Sequence, residues 1–143
     1  MHDARKTLLV ADSEQGIRDL YAFTFEPLGY QVTAVEDRAS LFALCRRQAF
    51  DLVIVDVHMP GPRDAPLVRS LRTLRPEQRV LVVTGEADGT FEALQDQARA
   101  EGALACLMKP LDIDELIESV ALALTALSAP PADDANVSKA SQP

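Results

Sequence analysis

The chain has 143 residues, 48% of them apolar and 25% charged, which suits one globular domain with a real core. Its net charge of −8 argues against a nucleic-acid surface, which needs clustered Lys and Arg. Two cysteines without metal-ligand spacing, Cys45 and Cys106, and no apolar stretch near the roughly 20 residues of a membrane span place the expectation in the reducing cytoplasm, away from the membrane.

In chain order, Thr7 to Ala11 is a short apolar run that predicts a strand. Ile17, Leu20, Thr24 and Leu28 follow at helical intervals, with Gly29 as the stop. Gln31 to Val35 predicts a second strand, and Asp37 or Ser40 caps a helix through Leu41, Leu44 and Cys45. Leu52 to Asp56 is the third strand. A proline-rich loop then leads to a helix with Leu67, Val68 and Leu71 on one face. Val80 to Thr84 is the fourth strand, Phe91, Leu94 and Ala98 form a helical face ending at Gly102, and Leu104 to Met108 is the fifth strand. Asp112 and Glu115 form a capping box for the last helix, whose apolar stripe is Ile113, Leu116, Ile117, Val120 and Leu124. Five βα units in succession predict an α/β fold, a parallel sheet with helices on both faces. Residues 1–127 form the expected domain, and Ser128 to Pro143, rich in Ala, Pro, Ser and Asp, reads as a disordered tail with no effector module after it.

The strand ends carry the chemistry. An ionised carboxylate is unwelcome in an aliphatic run such as Leu52-Val53-Ile54-Val55, yet Asp56 closes it. The first strand ends at Asp12, the fourth at Thr84, and the fifth at Lys109, ahead of Pro110. Each residue alone also fits a plainer role, as a helix cap, a turn residue or a solvated charge. In one parallel sheet, however, all four converge on the rim where open α/β sheets bind ligands. Two carboxylates can hold Mg²⁺, one can attack a phosphoryl group, and an ammonium and a hydroxyl can stabilise its charge.

With these residues in this order, the chain resembles the receiver domain of two-component response regulators over about Thr7 to Leu127. The matching segments are Leu8-Leu9-Val10-Ala11-Asp12 with Gly16-Ile17-Arg18, Asp51 to Asp56 with Met59-Pro60, Val82-Val83-Thr84-Gly85, and Lys109-Pro110. The resemblance implies a flavodoxin-like doubly wound sheet of strand order 2-1-3-4-5. It implies that Asp56 accepts a phosphoryl group from a sensor histidine kinase or a histidine phosphotransfer protein, and that a downstream protein reads the signal. Thr84 and Lys109 would bind the phosphoryl oxygens, assisted by backbone N–H groups of Val57 and Gly85. Asp12, Asp56 and the His58 carbonyl would hold Mg²⁺, and Lys109-Pro110 would be a cis peptide. The chain would be a phosphoacceptor rather than an enzyme, with a second copy of itself as a further candidate partner.

Three departures from the family pattern bear on mechanism. The family carries two adjacent acids after the first strand, and here the second is Ser13. A neutral hydroxyl predicts weaker Mg²⁺ binding unless Glu14 or added waters compensate. At Cys106 the family places an aromatic ring that swings inward as Thr84 engages phosphate; cysteine has none, so the Thr84 switch needs another moving element, such as the fourth helix and Glu86 to Gly89. Third, Gly61-Pro62-Arg63-Asp64-Ala65-Pro66 predicts a stiffer loop than usual after the phosphoacceptor strand. His58, two residues past Asp56, stands near enough to influence acyl-phosphate hydrolysis.

Competing functions remain. A degenerate receiver would bind its partner without phosphorylation, so Asp56→Asn would leave binding intact. An FMN-binding flavodoxin-like protein needs a hydroxyl- and glycine-rich phosphate loop where Asp12-Ser13-Glu14-Gln15 stand. An aspartyl phosphohydrolase wants a second acid where His58 stands, and neither a P-loop nor a dinucleotide turn is present.

Overall fold

A computed structural model describes residues 5–59, 66–85 and 90–125. The predicted tail, the loop from Gly61 to Ala65 and the segment Glu86 to Gly89 lie outside the described residues. Five strands, β1 (Thr7–Ala11), β2 (Gln31–Val35), β3 (Leu52–Asp56), β4 (Val80–Thr84) and β5 (Ala105–Met108), form one sheet of order β2-β1-β3-β4-β5. Every pairing is parallel. The helices are α1 (Gln15–Phe25), α2 (Arg38–Arg47), α3 (Leu67–Leu74), α4 (Phe91–Ala100) and α5 (Ile113–Thr125). This is the flavodoxin-like fold expected from the resemblance.

Burial explains the arrangement. β3 and β4 are buried at every position, because helices cover both faces of the sheet. Alternate residues feed two cores. Leu9, Val53, Val55 and Val82 face Leu41, Leu67, Val68, Leu71 and Ala98, so α2, α3 and α4 cover one face. Leu8, Val10, Ile54 and Val83 face Tyr21, Phe25, Leu116 and Val120, so α1 and α5 cover the other. Tyr21 stacks on Phe25 with ring centroids 6.2 Å apart, and Phe25 meets Tyr30 edge-on at 5.4 Å.

The expected apolar faces need correction in three places. In α1 the fully buried residues are Tyr21 and Phe25, while Leu28 is 54% exposed. Tyr21 and Phe25 are one i, i+4 row, whereas Leu28 falls in a 3₁₀ turn, Glu26–Leu28, beyond the helix end. Phe91 and Ile113 open α4 and α5 and are partly exposed, since a first-turn side chain covers the turn before it rather than the core. The fifth strand starts at Ala105, one residue late, although the Leu104 N–H already bonds the Val80 carbonyl at 2.8 Å.

Caps set the helix entries that frame the rim. Asp37, not Ser40, caps α2, its Oδ1 accepting from the Ser40 N–H at 2.8 Å. Thr90 caps α4 through the Ala93 N–H at 3.0 Å, and Asp112 caps α5 through the Glu115 N–H at 3.0 Å. Gly29 and Gly102 end the α1 and α4 segments in the left-handed region, at φ 99° and 106°.

Candidate functional site

The topology brings Asp12 and Asp56 together first. β1 and β3 are neighbours with Ala11 opposite Val55, so the residues that follow each strand share one crevice. β4 lies beyond β3 with Val83 opposite Asp56, which places Thr84 one step higher on the rim. Asp12, Asp56 and Thr84 are 1%, 7% and 2% exposed, so three polar groups are withdrawn from water at one sheet edge.

Lys109 answers them. Its Nζ lies 2.9 Å from Asp12 Oδ2, 2.9 Å from Asp56 Oδ2 and 3.1 Å from Glu14 Oε1. Burial alone pulls the lysine down, but its hydrogen bonds to Asp12, Asp56 and Glu14 outweigh that and hold the ammonium above the usual lysine range. The Lys109 N–H also donates to the Thr84 carbonyl at 2.8 Å, and the Lys109–Pro110 peptide is cis. Three carboxylates therefore share one ammonium, and the rim carries excess negative charge.

The remaining bonds fix these acids. Asp12 Oδ1 accepts from the Glu14 N–H at 2.9 Å, and Asp56 Oδ1 accepts from the His58 N–H at 2.8 Å. The His58 ring reaches across to β4, with Nε2 3.1 Å from Thr84 Oγ1. The Val57 N–H donates to the Val83 carbonyl at 3.1 Å, so it is engaged in the sheet ladder. Gly85 sits against the Lys109 stem, where an added Cβ would lie 3.5 Å from Lys109 Cδ. Ser13 is exposed, and Glu14 reaches the shared ammonium instead. Cys106 is buried, its thiol pushed up by burial, and its N–H donates to Gln95 Oε1 of α4.

Two arginines contribute that sequence reading left without a role. Arg18 Nη1 donates to the Asp12 carbonyl at 2.8 Å, and Arg38 Nη2 donates to the Val57 carbonyl at 3.2 Å. Each clamps the backbone at or beside a site acid. Arg38 carried a usable signal, since a cation opening a helix opposes the helix dipole and invites a search for another partner.

Asp12 and Asp56 aim one oxygen each at a single cation, which is how carboxylates address a hard metal. Among the described residues no group of three or more His, Cys, Asp or Glu side chains is disposed to hold a metal. The pair still fits Mg²⁺, which is commonly held by one or two carboxylates and keeps several waters.

The receiver domain profile of response regulators matches residues 8–121. The chain belongs to the response regulator receiver domain family. It is 28% identical over 113 residues to sporulation initiation phosphotransferase F of Bacillus subtilis, covering 79% of this chain and 89% of that protein. Over 136 residues it is 29% identical to the transcriptional regulator NtrC of Azospirillum brasilense, covering 95% of this chain and 28% of that protein. Response regulator FleR of Pseudomonas aeruginosa is 34% identical over 120 residues, 82% of this chain and 24% of FleR. The chain thus spans about a quarter of the length of NtrC and FleR. Among solved structures, the receiver domain of Francisella response regulator 1452 superimposes with a TM-score of 0.75 at 26% identity, covering 84% of this chain and 97% of that one. No helix among the described residues is long and apolar enough to cross a membrane.

Proposed function

We propose that this receiver accepts a phosphoryl group on Asp56 from a phosphohistidine of a sensor kinase or phosphotransfer protein, in the cytoplasm, and passes the signal on by protein contact. One observation carries the reading: a single ammonium bridges Asp12 and Asp56 at the C-terminal rim of the sheet. In the transfer an Asp56 carboxylate oxygen bonds phosphorus as the N–P bond of the phosphohistidine breaks, and the electron pair returns to the imidazole. Lys109 follows the developing charge, the Thr84 hydroxyl and Gly85 N–H bind phosphoryl oxygens, and Val57 joins them on leaving Val83. Asp12, Asp56 and the His58 carbonyl would hold Mg²⁺, which when bound supplies positive charge beside the transferring oxygens. Ser13 offers no charge to that set, so its affinity is below that of a site with two adjacent acids.

Incubation with acetyl phosphate and Mg²⁺ followed by intact mass tests the reading. It predicts one added phosphoryl group in the wild type and none in Asp56→Asn. A second reading, partner binding without phosphorylation, draws on Ser13 and on the ringless Cys106. Under it the wild type stays unmodified, and Asp56→Asn binds the partner as well as the parent does.

A further inference from the structure

The far end of α1, away from the Asp56 rim, holds two unfavourable placements side by side. Phe23 is 79% exposed, more than any other large apolar side chain among the described residues, and Leu28, just past the helix, is 54% exposed. Glu26 follows the last helical residue, where a carboxylate opposes the helix dipole, and the last turn holds no basic residue to offset it. Either feature alone is ordinary surface. Here they adjoin: Ala22, Phe23 and Pro27 line a cavity of 310 Å³ together with Asp19 and Glu26. Asp19, Ala22, Phe23 and Glu26 stand at i, i+3, i+4 and i+7, so one outward stripe reads acid, apolar, apolar, acid. It is separate from the Tyr21–Phe25 row that packs into the core. Among the described residues neither carboxylate has a cationic partner. Asp19 Oδ1 accepts from the Gln15 amide at 2.8 Å, while Arg18 is engaged by the Asp12 carbonyl and by Glu36.

We propose that this stripe docks a basic amphipathic helix of a partner protein, with an aliphatic side chain in the cavity and Lys or Arg on Asp19 and Glu26. A cation there would answer the carboxylate and the negative end of α1 together, while the apolar side chain covers Phe23. Charge selects this occupant. A nucleic acid or an anionic membrane would meet two carboxylates, and a second copy docked face to face would set the same acids against each other. The 11 residues of α1 span about 16 Å, so the cavity lies a helix length from the rim, and docking does not require Asp56 to be phosphorylated.

The spacing of the stripe dictates the probe. An alanine-based helical peptide with Lys at i and i+7 and Leu at i+3 and i+4 mirrors it in either direction, and a control carries Glu in place of both Lys. Titrated into the isotope-labelled full chain, the Lys peptide should shift amide resonances from Asp19 to Leu28 saturably, and the Glu peptide should shift none. Phe23→Ala should weaken binding roughly tenfold, as loss of a central aromatic contact does. Glu26→Gln should weaken it roughly threefold, the worth of one exposed ion pair, with the difference shrinking at high salt. Both variants should melt with the parent, since neither side chain is buried. The inference is overturned if the Lys peptide gives no saturable shifts, if its shifts centre on the rim acids Asp12 and Glu14, or if Phe23→Ala binds as well as the parent. It is equally overturned if sedimentation shows the parent dimerising and Phe23→Ala monomeric, because the occupant is then a second copy.

Discussion

The two edges of the sheet bury polar groups for opposite purposes. At the N-terminal edge, side chains answer backbone. Gln78 Nε2 donates to the Phe50 and Arg79 carbonyls at 2.9 and 3.0 Å, and Asp51 Oδ2 accepts from the Thr7 N–H at 2.7 Å. Arg72 Nη1 donates to the Gly102 carbonyl at 2.7 Å. These bonds finish strand ends and loops that would otherwise leave backbone groups unpaired. At the C-terminal edge, charged side chains answer each other, three carboxylates to one ammonium. The C-terminal edge is short of positive charge, and it is the edge that the proposed phosphoryl transfer would use. Burial of polar residues therefore does not mark function by itself; unbalanced charge among the buried groups does.

The largest effect should come from removing the ammonium that bridges Asp12 and Asp56 at the C-terminal edge. Lys109→Met leaves Asp12 and Asp56 buried side by side, and should cost about 3 kcal/mol in denaturant titrations run in EDTA. Added Mg²⁺ should recover much of this loss, because the same two oxygens then face a metal. An equal loss with and without Mg²⁺ would show that the carboxylates do not share a cation site. Next, Gln78→Ala at the opposite edge strands the Phe50 N–H and carbonyl and should cost about 2 kcal/mol, with phosphorylation by acetyl phosphate unchanged. A slowed reaction would mean that the two edges are coupled.

Ser13→Asp restores a second acid beside Asp12 and should tighten Mg²⁺ about tenfold by calorimetry, roughly 1.4 kcal/mol. Unchanged affinity would mean that Glu14 already supplies the missing charge. The smallest effect concerns neither edge. Burial pushes the Cys45 thiol from 9.0 up to about 11, with Arg75 opposing. The folded chain then keeps a proton that the unfolded chain loses. That contribution is complete below about pH 9 and disappears as pH rises through about 11. Melting temperature should fall across this window, and less steeply in Cys45→Ala. The slope should not vanish, since Cys106 and Tyr21 are also shifted upward, both chiefly by burial.

The contrast also explains what the sequence made legible. Strands buried on both faces must be nearly all aliphatic, so β3 and β4 stand out with their ends, and Asp56 and Thr84 with them. Lys109 is visible from its place after the last strand. The N-terminal edge is invisible, because Gln78 and Arg72 meet backbone 28 and 30 residues away and a backbone acceptor has no sequence signature. The same holds for Arg38 on Val57 and for Gln95 on Cys106. Helix faces fall between: Ile17, Leu20 and Tyr21 offer competing rows, and only packing against Phe25 and Tyr30 chooses among them. The His58–Thr84 contact lay within reach, since both residues were placed on the rim, but its atoms could not be paired without the register of β3 against β4.

The central claim is that the acid at the end of β3 is the phosphoacceptor, and borohydride reduction tests it most directly. An acyl phosphate on aspartate is reduced to homoserine, whereas a phosphohistidine or an unmodified carboxylate is not. After treatment with acetyl phosphate and Mg²⁺, peptide mass spectrometry should find homoserine at position 56 and nowhere else. Homoserine absent from that position, or phosphate retained on His58, would contradict the account.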